Sequence, residues 1–457
     1  MATTSVKSSA TVSTTNQGVP SYVPALAVLT TLFFIWGSLT SLNDVLIPFA
    51  QHVFSLNLAE SMLIQTAFFL AYFIISLPAA KIIDWIGYKR AIIVGLSTMV
   101  AACLLVYPAA KIPSFPFFLA ALMILAAGIT VLQVAANPYV AVLGRPQTAS
   151  SRLNLTQAFN SLGTAVFPFV GARLILGETV SAAAQSASQD AVIKLYVYFF
   201  AIVLVLLAIL FAVFRLPKIE SAERHKGEKI DDSIWKHPNL PYGAIAIFVY
   251  VGAEVAIGSS IANYLALPNI GHFASNIADP ATQYRAALAV AARYISIYWL
   301  GAMVGRFIGS AVLQKVRTST VLGFCALMAA LLVVITVLSS GHFAMWTVLS
   351  IGLFNSIMFP SIFTSGIAEL GPLTGDGSGL LNMAIVGGAI IPWVVGRIGD
   401  AINHSYYPST IQGETSWGQG IHYALIIAAV CYLYILFYAV SGSKPNSERY
   451  AKAGARS

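Results

Sequence analysis

The chain has 457 residues, of which 58% are hydrophobic and 9% charged, with a net charge of +8. Soluble domains carry about a quarter charged residues, so this composition excludes a water-facing globular surface, and disorder, coiled coil and collagen fall with it. Three cysteines, Cys103, Cys325 and Cys431, each lie in an apolar run and supply neither a disulfide framework nor a zinc spacing. What remains is a polytopic membrane protein, with room for about twelve spans of ~20 residues.

Residues 1–20 are rich in Ser and Thr and lack an apolar core, so they are expected to form a disordered cytoplasmic tail and not a signal peptide. Apolar stretches then recur near 22–50, 60–83, 90–110, 114–143, 153–177 and 191–215. A charged segment from Arg215 to His237 follows, and six further stretches lie near 240–270, 286–313, 318–340, 342–370, 377–402 and 417–441. The expected architecture is all-α: twelve transmembrane helices in two six-helix halves, residues 21–215 and 239–441. A cytoplasmic linker, 216–238, joins them, and a cytoplasmic tail, 442–457, follows. Lys81, Lys89, Arg90, Arg145, Arg152, the linker, Lys315, Arg317 and Lys444 to Arg456 would all fall on one side, against Lys111, Lys194 and Arg285 on the other. That asymmetry predicts both termini in the cytoplasm, and it accounts for the positive charge without a nucleic-acid partner.

The halves repeat each other. Asn43 and Pro48 correspond to Asn263 and Pro268, Gln133 and Pro138 to Asn355 and Pro360, and Gly163 and Pro168 to Gly387 and Pro392, at an offset of 220 to 224 residues. Duplicated halves with matched helix-breaking residues are the mark of alternating-access transporters.

Carboxylates inside a bilayer are costly and ask for a reason. Asp44 in span one and Glu254 in span seven are the candidates for ion coupling: each can take up a proton, or ligate sodium together with nearby amide oxygens such as that of Gln133. Amides are the other signal. Gln133 and Asn137 share a face of span four one turn apart, and Asn154, Gln157 and Asn160 line a stripe of span five together with Ser161. Asn43, Asn355 and Asn382 join them. An amide offers both donor and acceptor, which suits the hydroxyls of a neutral sugar, whereas a cationic substrate would call for more carboxylates and an anion for arginine. The same side chains also serve packing between membrane helices, at about 0.6 kcal/mol per contact. Trp36, eight residues before Asp44 on roughly the same helix face, is the aromatic candidate for stacking on a sugar ring.

After span two comes Asp84-Trp85-Ile86-Gly87-Tyr88-Lys89-Arg90, an acid, a tight turn and a basic pair. It resembles the cytoplasmic loop motif of the major facilitator superfamily, in which acid and bases tie helix ends together in the outward-open state. Asp84, Lys89 and Arg90 are therefore expected to gate, and Arg306 in Gly305-Arg306-Phe307-Ile308-Gly309 is a degenerate second copy. Within that superfamily, three motifs resemble the fucose–galactose–glucose symporter family. They are Asn43-Asp44 with Pro48, Ala135-Ala136-Asn137-Pro138-Tyr139-Val140, and Arg152-Leu153-Asn154-Leu155-Thr156-Gln157-Ala158-Phe159-Asn160-Ser161. The resemblance implies a monomer with a central cavity in a bacterial inner membrane. It makes Asp44 the coupling residue, places Gln157 and Asn160 at the sugar, and implies H+ or Na+ as the co-transported ion. L-fucose permeases of the family carry Glu at the Gln133 position and Gln at the Glu254 position. Tyr250-Val251-Gly252-Ala253-Glu254 is similar instead to the glucose/galactose branch. Glucose and galactose are thus favoured, with N-acetylglucosamine, L-fucose with a proton, or proton-driven drug export on the same fold as the alternatives. No metal-ligand spacing, paired nucleophile and base, or phosphate loop points to an enzyme, and no cofactor is expected.

Overall fold

The protein, seen in a computed structural model, is described over residues 22–54, 63–112, 114–171, 190, 192–217, 232–277, 279–406 and 417–447. Within the helices a few side chains, among them Asn43, Asp44, Pro48, Pro168 and Arg285, fall outside the described residues, as do residues 1–20. Among the described residues, ten helical stretches are long and apolar enough to cross a bilayer. One of them, Leu63–Ala109, holds two crossings, spans two and three, because Gly87 breaks it with φ 77° and ψ 165°. Glycine adopts such a positive φ without the steric penalty of a Cβ, so the turn falls inside the Asp84–Arg90 motif. Ala149–Gly171 is the twelfth crossing, span five. Its amide stripe makes it too polar to register by hydropathy, yet it is helical throughout.

Spans one and four are Val23–Phe54 and Phe115–Val142, and span six ends with Ala201–Val213. The second half holds span seven, Asn239–Leu265, and span nine, Thr318–Leu338. Its other helices are built from shorter pieces. Span eight joins Pro280–Ala291 to Ile295–Val312, and span ten joins Gly341–Asn355 to Met358–Gly366. Span eleven joins Thr374–Met383 to Gly387–Tyr406, and span twelve Trp417–Ala424 to Ile426–Phe437. Broken helices are tolerated at membrane depth where neighbouring protein covers the freed backbone groups.

The repeat read from the sequence is a packing repeat. A Cβ on Gly163 in span five would strike the backbone oxygen of Phe34 in span one, and a Cβ on Gly387 in span eleven would strike that of Phe248 in span seven. Small residues let membrane helices approach this closely, so the two glycines set the same helix pair in each half.

One end of the bundle carries the linker and the turns at 84–90, 143–148, 313–317 and 367–373, and is called the linker face below. Helix C-termini there are covered by side chains. Arg152 donates to the carbonyls of Val140, Ala141 and Arg145 at 2.7–3.2 Å, and the Asn239 amide to those of Ser365, Gly366 and Ala368 at 3.0–3.1 Å. Val140, Ala141 and Gly366 are among the carbonyls that a helix end leaves without an intrahelical partner, and a cation there also meets the negative end of the helix dipole.

Candidate functional site

Span four is buried continuously from Gly128 to Ala141. Within it, Gln133 Nε2 donates to the Tyr72 hydroxyl of span two at 2.6 Å. Asn137, one turn on, accepts from Gln157 Nε2 of span five at 3.5 Å, while its own amide nitrogen is buried with no partner. Asn160 Nδ2 donates to the backbone oxygen of Phe33 in span one at 3.0 Å. Trp36, 4% exposed, packs on Phe33 with ring centroids 4.3 Å apart. Of the expected sugar-binding residues, Gln133 and Asn137 thus stand one turn apart on span four, Gln157 meets Asn137 from span five, and Asn160, three residues further along, turns to span one. Asn43 and Asp44 fall outside the described side chains.

The second half gathers around Glu254. The Tyr250 hydroxyl donates to Glu254 Oε1 at 2.7 Å, and the Arg306 guanidinium stands 3.9 Å from the same oxygen. Asn355 Nδ2 donates to the Tyr298 hydroxyl at 2.7 Å, and its Oδ1, like the nearby Tyr432 hydroxyl, is buried without a partner. Asn382 spends its amide nitrogen on Ser378, one turn back at 2.9 Å, and so stiffens the start of span eleven. Asn154 does the same to Ser150 in span five, at 2.8 Å.

Two prolines explain how the halves are fastened. Proline has no N–H, so the carbonyl four residues earlier loses its helix partner. Pro138 leaves the Val134 carbonyl, which accepts from Ser378 Oγ of span eleven, in the other half, at 2.8 Å. Pro360, at the matching position, leaves the Ser356 carbonyl, which accepts from Arg306 Nε at 3.0 Å. Arg306 Nη1 in turn donates to Ser161 Oγ of span five, so this one guanidinium touches both halves. A copy of the 84–90 loop motif would sit at a helix end. Arg306 instead lies six residues, about 9 Å, inside span eight with its head group turned inward. The reason is that Glu254, Ser161 and the freed Ser356 carbonyl supply acceptors there.

At the linker face, Lys81 Nζ pairs with Asp376 of the other half at 2.6 Å and with Asp84 at 3.6 Å. Lys89 Nζ donates to the Ala212 carbonyl at the end of span six at 2.9 Å, and Arg90 is exposed. Ser150 Oγ lies 2.5 Å from Thr364 Oγ1, and Ser151 Oγ donates to the Ser310 carbonyl at 2.6 Å. Sequence reasoning missed Lys81, Asp376, Ser150, Thr364 and Ser378. The one signal for Ser150 and Ser378 was that each stands four residues before an asparagine, 228 positions apart. These contacts close the linker face, with span five set on spans eight and ten and span eleven on spans two and four.

The sequence profile of the Major Facilitator Superfamily matches residues 28–392. The chain belongs to that superfamily. Among curated members, a glucose/galactose transporter of Brucella abortus biovar 1 (strain 9-941) is 46% identical over 441 residues, spanning 96% of this chain and 99% of that one. The L-fucose-proton symporter of Escherichia coli (strain K12) is 32% identical over 92% of this chain and 93% of that one. The superfamily fold is matched by the crystal structure of FucP in the outward conformation, at TM-score 0.78 and 30% identity, over 93% of this chain and 99% of that one.

Proposed function

We propose that this superfamily member is a secondary active transporter that imports a neutral hexose, glucose or galactose, together with a cation. The observation that carries the reading is the buried amide bank. Gln133, Asn137 and Gln157 gather in the first half and Asn355 stands in the second, with polar atoms left unspent at Asn137 Nδ2 and Asn355 Oδ1. Buried polar groups are costly without partners, and a polyhydroxylated ligand supplies both donors and acceptors. The names of the relatives point the same way, towards glucose and galactose first and a proton as the coupled ion.

Asp44 is the residue we assign to the coupled ion. Glu254 already has a guanidinium and a phenol beside it, so its charge is matched within the protein. Alternating access then requires the linker-face contacts to part and the opposite face to close over the sugar. Lys81, Lys89, Arg90, Arg145, Arg152, Lys236, Lys315 and Arg317 stand on the linker face, while Lys111 and Lys194 stand at the other. This bias supports a cytoplasmic linker face. The closed linker face supports an outward-facing state. The reading includes a monomer in a bacterial inner membrane, the halves 21–215 and 239–441, and gating through Asp84, Lys89 and Arg90.

The test is uptake of labelled D-glucose and D-galactose into proteoliposomes under an inward proton gradient, an inward sodium gradient, or neither. We expect accumulation under the proton gradient and none above equilibrium for Asp44→Asn. Stimulation by sodium alone would move the coupling to that ion. Uptake that sugars do not compete for would replace the hexose reading with the export of apolar compounds. Competition by N-acetylglucosamine or L-fucose but not glucose would change the sugar and keep the mechanism.

A further inference from the structure

The two halves repeat one polar pair that the repeat in the sequence does not announce. Gln133 Nε2 donates to the Tyr72 hydroxyl at 2.6 Å, and Asn355 Nδ2 donates to the Tyr298 hydroxyl at 2.7 Å. The amides stand 222 positions apart and the tyrosines 226. Four residues are close to one helical turn, so Tyr72 and Tyr298 project from equivalent faces of spans two and eight. Tyr72 and Gln133 are 6% and 7% exposed, and Tyr298 and Asn355 are fully covered.

A phenol that accepts from an amide keeps its own proton to donate. Among the described residues no acceptor takes the proton of Tyr72 or of Tyr298. On the amide side, holding the nitrogen fixes which way the carbonyl oxygen faces, and Asn355 Oδ1 ends buried without a partner. An amide whose nitrogen is held in this way presents its carbonyl oxygen in a fixed direction, ready to accept from a sugar hydroxyl. Phenylalanine would fill the same space if packing were the purpose.

Building on the hexose reading above, we propose that Tyr72 and Tyr298 are positioning residues that set sugar specificity, each locking the orientation of one sugar-binding amide. Gln133, at the edge of the buried region, meets the sugar, and Tyr72 holds it from behind. The Tyr298–Asn355 pair acts from underneath by holding Asn355.

The experiment uses the full chain in proteoliposomes and compares wild type, Tyr72→Phe, Gln133→Met, their double variant and Tyr298→Phe. KM and maximal rate are measured for D-glucose and D-galactose, and the melting temperature for each protein. Loss of one buried hydrogen bond predicts a KM rise of about three- to tenfold for Tyr72→Phe, with the maximal rate within about twofold. The ratio of the two KM values should move by about threefold or more, and Tyr298→Phe should give a smaller rise in the same direction. Because Tyr72 acts through Gln133, adding Tyr72→Phe to Gln133→Met should change KM by less than about twofold. A lowered melting temperature with an unchanged KM ratio would show packing alone and overturn the proposal, and so would effects that multiply in the double variant. Should Tyr72→Phe fail to fold, Tyr298→Phe decides by the same KM ratio. Wild-type protein that moves neither sugar would remove the hexose reading and this proposal together, whereas normal wild-type uptake with unmoved variants would remove only this one.

Discussion

Spans four and ten occupy the same place in the two halves, and each carries a proline that frees a carbonyl, yet the carbonyls are used differently. In span four the Val134 carbonyl is claimed from the opposite half, by the Ser378 hydroxyl. In span ten the Ser356 carbonyl is claimed from within its own half, by the charged Arg306, which then reaches Ser161 across the interface. Among the described residues, the first half meets its partners near the centre through neutral amides, those of Gln133, Asn137 and Gln157. The second half holds a carboxylate and a guanidinium in contact with one another. One duplicated device has become a neutral fastening on one side and a charged fastening on the other. A neutral surface can receive a sugar without first breaking an ion pair.

The sharpest way to break that comparison is to remove the charge from the fastening. Arg306→Met strands Glu254 as a buried carboxylate beside Tyr250 and leaves the Ser356 carbonyl with neither helix nor side-chain donor. Removing one partner of a buried ion pair costs about 3–5 kcal/mol, more than either ion contributes when both are present. A fall of several degrees in the melting temperature of the purified protein is the expected result. Glu254→Gln added to Arg306→Met should recover half or more of it, because the uncompensated charge is then gone. No recovery would mean that Arg306 stabilises through Ser161 and Ser356 and that Glu254 is held otherwise.

Ser378→Ala tests the neutral counterpart. It removes one hydroxyl that bonds a proline-freed carbonyl, a loss of about 1 kcal/mol and not of a charge. Asn382 would also lose its 3.3 Å contact with that hydroxyl, but would keep the 2.9 Å bond to the Ser378 carbonyl. We expect the melting temperature to change little. Amide exchange at the linker-face ends of spans four and eleven should quicken by about fivefold, following the weakened closure. Unchanged exchange there would show that Ser378 does not help hold the halves together.

How much of this the sequence announced follows from the kind of signal each feature leaves. Twelve crossings were legible from apolar length, even span five, whose apolar residues over 153–177 marked it although its amides keep it from registering as a span by mean hydropathy. Gly163 and Gly387 were legible because close helix approach demands glycine at both copies. Gln133, Asn137 and Gln157 were legible as amides out of place in lipid. Arg306 was found but read as a copy of the 84–90 loop motif, through its repeat counterpart Asp84. Its actual place depends on three acceptors from spans five, seven and ten, which no local pattern connects. Ser150, Thr364 and Ser378 left almost no trace, since small hydroxyl residues are ordinary in membrane helices and their partners lie 214 to 244 residues away.

The smallest effect belongs to the most visible contact. Lys81 and Asp376 join the halves at 2.6 Å, but the lysine side chain is 53% exposed and the aspartate 21%. Water and salt screen such a pair, which limits it to about 0.2–1 kcal/mol at physiological ionic strength. Lys81→Ala and Asp376→Asn should each shift the linker-face exchange rate by less than about threefold, and the double variant should add little to either single one. The shifts should shrink further between low and high salt, whereas that of Ser378→Ala, a neutral contact under the same surface, should not. Coupling between Lys81 and Asp376 that survives high salt and exceeds the Ser378→Ala effect would reverse the order argued above. The closure would then rest on its outer charges, with the carbonyls freed by Pro138 and Pro360 reduced to local repairs of the helix.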